Sequence, residues 1–241
     1  MGDSKELNIL AISDLHYIGK ADHVCNHEKR HNSLGALAVR KALRRLQWDN
    51  LSVDLIILLG DLVDNGEADG AREDLKSLAA EIKQLDKPVL AVNGNHDGSA
   101  TSYSDCFDCP EGIYYFGGYG FLVFNDDVAE GDFVTRPQRY FDVLRQQPED
   151  TPIVALQHNP VYPEIDSKYP YVLTNAEDVR AAYTDSPVFF SLSGHYHRGQ
   201  EAATLDGVVY RTLPALCEAP FRFDYIQLRE VLFNPFRTGS R

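Results

Sequence analysis

Aspartate, asparagine and histidine recur in five short clusters along the chain: Asp14 with His16, Gly60-Asp61, Asn93-Gly94-Asn95-His96-Asp97, His158, and Gly194-His195-Tyr196-His197. Each alone reads as a cap or turn former, the usual role of a polar residue at a strand end. The histidines argue otherwise, because five of the eight in the chain (His16, His96, His158, His195, His197) fall in these clusters, and imidazole has no comparable turn preference. Imidazole nitrogen and carboxylate oxygen together suit a borderline divalent ion such as zinc, iron or manganese, whereas calcium calls for an all-oxygen shell. Asp14, His16, Asp61, Asn95, His158, His195 and His197 supply seven candidate ligands, more than the four of a closed structural site. Two ions sharing a bridging carboxylate fit that count, and such a pair clamps the attacking and leaving oxygens of a displacement at phosphorus.

Every cluster follows directly on a short apolar run: residues 9–12, 55–59, 89–92, 153–156 and 188–192. Runs of this length and composition are expected to be strands buried on both faces. In an α/β sheet, loops beyond the carboxyl ends of strands are where ligands bind, so five such loops can converge on one site. Between them, Leu75, Leu78, Ala79, Ile82 and Leu85 share one helical face, and Leu34, Leu37, Ala38, Leu43 and Leu46 form a less regular version. The order strand, helix, strand, helix, strand over residues 7–93 predicts parallel strands with right-handed crossovers. Segments 113–125 and 201–213 read as hairpin strands, which makes the later sheet mixed, and Asn175 is placed to cap a helix running to about Tyr183.

With 241 residues, 44% hydrophobic and 24% charged, the chain is expected to form one domain over residues 1–232, with 233–241 as a tail without assigned role. A net charge of −13 disfavours a broad nucleic-acid-binding surface, but a local field at bound cations can still attract a small anion. No run has the length of a signal-peptide core or membrane span, so no membrane partner and a cytoplasmic address are expected. No motif specifies an oligomeric state. In that setting Cys25, Cys106, Cys109 and Cys217 are expected to be free thiols, and the lone Cys106/Cys109 pair lacks the second pair that a zinc finger needs.

The whole motif set, D-x-H at Asp14 and His16, G-D-x-x-D at Gly60, Asp61 and Asp64, G-N-H-D at Gly94 to Asp97, His158, and G-H-x-H at Gly194 to His197, resembles the calcineurin-like metallophosphoesterases. The motifs stand in that family's order over about three quarters of the chain, and together they are far more specific than any one. The resemblance implies a four-layer αββα sandwich of two mixed β-sheets flanked by helices. It implies one metal on Asp14, His16, Asp61 and His197 and a second on Asp61, Asn95, His158 and His195, with Asp61 as bridge and a metal-bridging hydroxide as nucleophile. His96 would contact the phosphoryl oxygens or protonate the leaving alkoxide, with Asp64 orienting it and favouring its protonated form. The alternative for His96 is support of Asn95.

The implied function is hydrolysis of a small-molecule phosphodiester or phosphomonoester with two manganese, iron or zinc ions. Competing readings are a phosphoprotein phosphatase or nuclease, and a non-catalytic metal-binding scaffold of the same fold. Two features depart from branches of the family. His158 is followed by Asn159-Pro160 where some phosphodiesterases have a second histidine, which puts substrate contact by a second imidazole in doubt. Asp64 stands where nucleases that process DNA ends typically have histidine. Segment 17–31 carries Lys20, His23, Cys25, His27, Arg30 and His31, and reads either as a loop over the metals or as a solvated connection. An extra metal on His23, Cys25 and His27 lacks a fourth ligand. Phe107, Tyr114, Tyr115 and Tyr119 are expected to pack in the core or a hairpin rather than stack on a base.

Overall fold

Ile153, Val154, Ala155 and Leu156 are all buried, yet they face two different cores: Val154 and Leu156 join one hydrophobic cluster, Ile153 and Ala155 the other. Because side chains alternate across a strand, this division places one apolar layer on each side of the sheet that contains them. In the computed structural model, which describes residues 6–20, 24–25, 27–98, 106–129, 133–165 and 168–229, that alternation organises the molecule.

The first sheet has the order β13-β1-β2-β3, built from β1 (Leu7–Ile12), β2 (Leu55–Leu59), β3 (Val89–Val92) and β13 (Asp224–Leu228). β1, β2 and β3 run parallel and β13 antiparallel to β1. The crossovers are α1 (Gly35–Trp48) and α2 (Ala71–Lys83), as predicted from their periodicity. α1 buries Val39, Ala42, Leu43 and Leu46, whereas Leu37, expected on that face, is 40% exposed. A 3₁₀ turn at Asn32–Leu34 precedes α1, so the helical period begins later than the leucines suggest.

The second sheet, order β11-β12-β10-β8-β5-β4, comprises β4 (Gly112–Phe116), β5 (Tyr119–Val123), β8 (Ile153–Leu156), β10 (Val188–Ser193), β11 (Gln200–Leu205) and β12 (Val208–Thr212). Both expected hairpins are present, β4–β5 and β11–β12, and the inner strand of each runs parallel to its next neighbour, β5 to β8 and β12 to β10. β6 (Asp127–Ala129), β7 (Phe133–Thr135) and β9 (Val172–Leu173) form a small third sheet. α3 (Gln138–Arg145) and α4 (Ala176–Thr184) cover the outer face of the six-stranded sheet through Tyr140, Leu144, Val179 and Tyr183. Phe121, Val123, Val154, Leu156 and Leu192 face the four-stranded sheet. The result is the expected succession of helices, sheet, sheet, helices.

Three local expectations are refined. α4 begins after Asn175, but the Asn175 side chain does not cap it; its Oδ1 accepts from Arg136 N at 2.9 Å and its Nδ2 donates to Arg136 O at 3.0 Å. The four cysteines are free, and Cys106, Cys109 and Cys217 are buried. Phe107 and Tyr119 are buried and Tyr114 packs against the core, while Tyr115 is exposed. The expected tail 233–241 and His23 lie outside the described residues.

Candidate metal centre

Backbone hydrogen bonds lace the loops that follow the five predicted strands to one another. Asp14 N donates to Gly60 O at 3.1 Å and His16 N to Asp61 O at 2.8 Å, joining the first two loops. Gly194 N donates to His158 O at 2.9 Å, joining the last two. His195 N donates to Asp14 Oδ2 at 3.0 Å and His96 N to Asp61 Oδ1 at 2.9 Å, which closes the set. Turning sharply off a strand end puts Asp14 (φ 55°), His16 (φ 42°), Asp61 (φ 50°) and His195 (φ 67°) in left-handed backbone. That conformation costs a residue with a Cβ about 1–2 kcal/mol, and such strain is found where surrounding structure holds a functional side chain in place.

The seven predicted ligands fall into two groups, while His16 with Asp64 and His96 makes a third set of converging side chains. In the first, His16 Nε2 lies 3.1 Å from His197 Nε2, 3.8 Å from Asp14 Oδ1 and 3.5 Å from Asp61 Oδ2. In the second, His158 Nε2 lies 3.1 Å from Asn95 Oδ1 and 3.3 Å from Asp61 Oδ2, with His195 beside them. Asp61 Oδ2 thus belongs to both groups. Ion-to-ligand arms of about 2.0–2.2 Å produce ligand-to-ligand edges of roughly 3–3.5 Å, the spacing of every pair here except His16 with Asp14.

The hydrogen bonds behind the rings decide which nitrogen faces inward. His158 Nδ1 donates to Leu59 O (2.7 Å), His197 Nδ1 to Glu218 Oε1 (2.6 Å) and His195 Nε2 to Pro170 O (2.8 Å), while His16 Nδ1 stands 3.3 Å from Asp64 Oδ1. With those three protons directed outward, Nε2 of His158 and His197 and Nδ1 of His195 are the atoms turned toward the other ligands, and each offers a lone pair to an ion once it carries no proton of its own. Asp14 Oδ1, fully buried, has no hydrogen-bond partner. Ring nitrogens, carboxylate oxygens and the Asn95 amide oxygen facing one another at 3.1–3.5 Å repel unless a proton or a cation lies between them. The donor set therefore fits ions such as zinc, iron or manganese.

The same crowding moves the acidities. Burial opposes charge on His158, but Asp61 and then Asp14 outweigh it and lift the imidazole to about 10. Burial likewise opposes ionisation of Asp14, which His197 nonetheless draws down to about 2. Burial, reinforced by His158, drops His195 to about 4, and burial lowers His16. Burial and the Asp61 charge push Asp97 up to about 7, even though its carboxylate accepts from Leu62 N, Val63 N and Gly94 N at 2.6–2.9 Å.

All seven predicted ligands are brought together, and His96 and Asp64 stand at their edge. His96 Nδ1 donates at 2.5 Å to the main-chain carbonyl of Asp64, while the Asp64 carboxylate takes Arg30 Nη1 at 2.8 Å and Asn32 Nδ2 at 3.1 Å. A cleft of about 340 Å³ opens there, lined in part by His27, Arg30, Asp64, Asn95, His96 and Tyr171. His27 and Arg30 thus border the cleft, while Glu28, Lys29 and His31 between and beside them are exposed to solvent. Sequence reasoning missed Glu218 and the binding of three amides by Asp97. Asp97 was visible as the last letter of G-N-H-D, whereas nothing local marks Glu218, which lies in the loop after β12.

A family model described as calcineurin-like phosphoesterase matches residues 7–199. A probable cyclic nucleotide phosphodiesterase from Rhodococcus erythropolis is 27% identical over 191 residues, covering 74% of this chain and 62% of that protein. A metallophosphoesterase of Bacillus subtilis, described as uncharacterized, is 27% identical over 158 residues, 61% of this chain and 48% of its own. The chain thus spans less than two thirds of the length of these two relatives. Among solved structures, a dimetal phosphatase from Danio rerio superposes with a TM-score of 0.62 at 16% identity, covering 90% of each chain, a likeness of fold.

Proposed function

The chain belongs to the calcineurin-like phosphoesterase family, and from that premise we propose that it hydrolyses a small-molecule phosphodiester or phosphomonoester with two manganese, iron or zinc ions. The observation that carries this reading is Asp61 Oδ2, 3.5 Å from His16 Nε2 and 3.3 Å from His158 Nε2, where one carboxylate can serve both groups. Asp14, His16, Asp61 and His197 would hold one ion, and Asp61, Asn95, His158 and His195 the other. Ions so held supply an acidified water and neutralise charge on the phosphoryl oxygens.

The chain's own residues would do the rest. His96 has its Nδ1–H tied to the Asp64 carbonyl, so Nε2 is the atom turned to substrate, and as imidazolium it can hydrogen-bond a phosphoryl oxygen or protonate the leaving alkoxide. Asp64 then acts on His96 through its main chain, while its carboxylate holds Arg30 in the wall of the cleft. There the guanidinium can meet a phosphate oxygen. The diester is placed first because the Rhodococcus relative is described as a probable cyclic nucleotide phosphodiesterase.

The test is metal analysis of the purified protein together with assays of a phosphodiester and a phosphomonoester of the same nitrophenol. Two transition-metal equivalents and faster release from the diester are expected. Protein that binds no ion and stays inert with added manganese would instead be a scaffold.

A further inference from the structure

The four ligand imidazoles are not backed alike. In the second group, His158 and His195 both donate to neutral main-chain carbonyls, Leu59 O and Pro170 O. In the first, His197 donates to the Glu218 carboxylate at 2.6 Å and His16 faces the Asp64 carboxylate at 3.3 Å. Asp64 shares its charge with Arg30, 2.8 Å away, which leaves Glu218 as the stronger influence on the first group.

The backbone presents Glu218 deliberately. Leu216 N donates to Ser13 O at 2.9 Å, Cys217 N to Asp14 O at 3.1 Å, and Ala215 N to His197 O at 3.0 Å. On the other side, His31 N donates to Cys217 O at 2.8 Å, and Arg30 forms an isolated antiparallel bridge with Glu218. Main-chain bonds therefore fix the segment on both sides while the Glu218 side chain reaches His197. A carboxylate on the far nitrogen of a ligand imidazole fixes its tautomer and orientation and raises its basicity as a ligand.

We propose that Glu218 is a positioning residue for His197, making the group of Asp14, His16, Asp61 and His197 the tighter of two unequal metal sites. The proposal rests on the dinuclear reading above. Stepwise titration of the ion-free full chain with manganese, read by calorimetry, tests it without relying on turnover. Two affinities are expected for the unaltered protein. In Glu218→Ala the tighter should weaken by about 10–100-fold, the usual effect of losing such a partner, with the weaker unchanged. Glu218→Gln keeps an oxygen that can accept from Nδ1 but loses the charge, and should fall between the two. Both affinities within twofold of the unaltered protein in Glu218→Ala would overturn the proposal. So would equal weakening of both with a lowered melting temperature of the ion-free chain, which would make Glu218 a strap for the loop. Two equal affinities in the unaltered protein overturn the asymmetry alone, whereas fewer than two ions overturns the dinuclear reading itself.

Discussion

In the ion-free chain His158 is an imidazolium, because the neighbouring carboxylates outweigh burial and lift it to about 10. An ion needs that nitrogen's lone pair, so loading must expel the proton. The sign follows: below about 10 the ion that takes His158 displaces its proton, and the apparent affinity of that group rises with pH until His158 is neutral without help. His195, held down to about 4, is neutral already and contributes no such release. Adding manganese to weakly buffered ion-free protein near neutral pH is therefore expected to acidify the solution, read with an indicator dye. An unchanged pH at full loading would show that His158 is not a ligand. His96 makes a different case, since its side chain bonds the Asp64 carbonyl rather than a metal ligand, and its bond to Asp61 comes from the main chain, which alanine keeps. His96→Ala is expected to lower kcat by on the order of 10²-fold or more, the scale of an acid–base contribution, with metal content kept. Unaltered kcat would remove His96 from the mechanism.

At the scale of elements, the loops after β2 and β3 are in contact along their backbones. A Cβ added at Gly94 would lie 2.2 Å from both Asp61 N and Asp61 Oδ1, closer than real atoms approach. Gly94→Ala must therefore shift the carboxylate shared by both groups, and a displacement of about 1 Å is enough to cost roughly 10²-fold in rate. The variant is expected to keep its circular-dichroism spectrum but to bind fewer than two ions and lose activity on that scale. Full metal content in Gly94→Ala would show that the two loops tolerate separation. The same closeness explains the glycine in G-N-H-D. It is there for approach, whereas Gly60, at φ 84°, occupies backbone that also suits glycine by conformation.

For the molecule as a whole, the inter-sheet core carries stability and the loops carry the candidate site. Phe121 is fully buried on β5, facing the four-stranded sheet, and belongs to neither ligand group. Phe121→Ala is expected to reduce unfolding free energy by about 3–5 kcal/mol, measured by urea denaturation, while the surviving folded protein still binds two ions. A comparable loss of metal without loss of stability would contradict this division of labour. No helix among the described residues is long and apolar enough to cross a membrane.

Most of this was readable locally. A strand buried on both faces needs an uninterrupted apolar run, and the five runs coincide with β1, β2, β3, β8 and β10. Because ligands gather at the carboxyl ends of such strands, the polar residues that follow each run named, without coordinates, the cluster that the structure brings together. Departures arose where contact replaced periodicity. Leu37 sits at a helix position that its neighbours leave open, Asn175 is drawn to Arg136 instead of capping α4, and no apolar pattern announced β13, whose residues pair with β1 more than two hundred positions earlier. The partner of a side chain across such separations depends on strand register and loop closure, which leave no periodic trace in the sequence. Tertiary structure alone could set Glu218 behind His197, lay Asp97 under three amides, and bring Arg30 against Asp64.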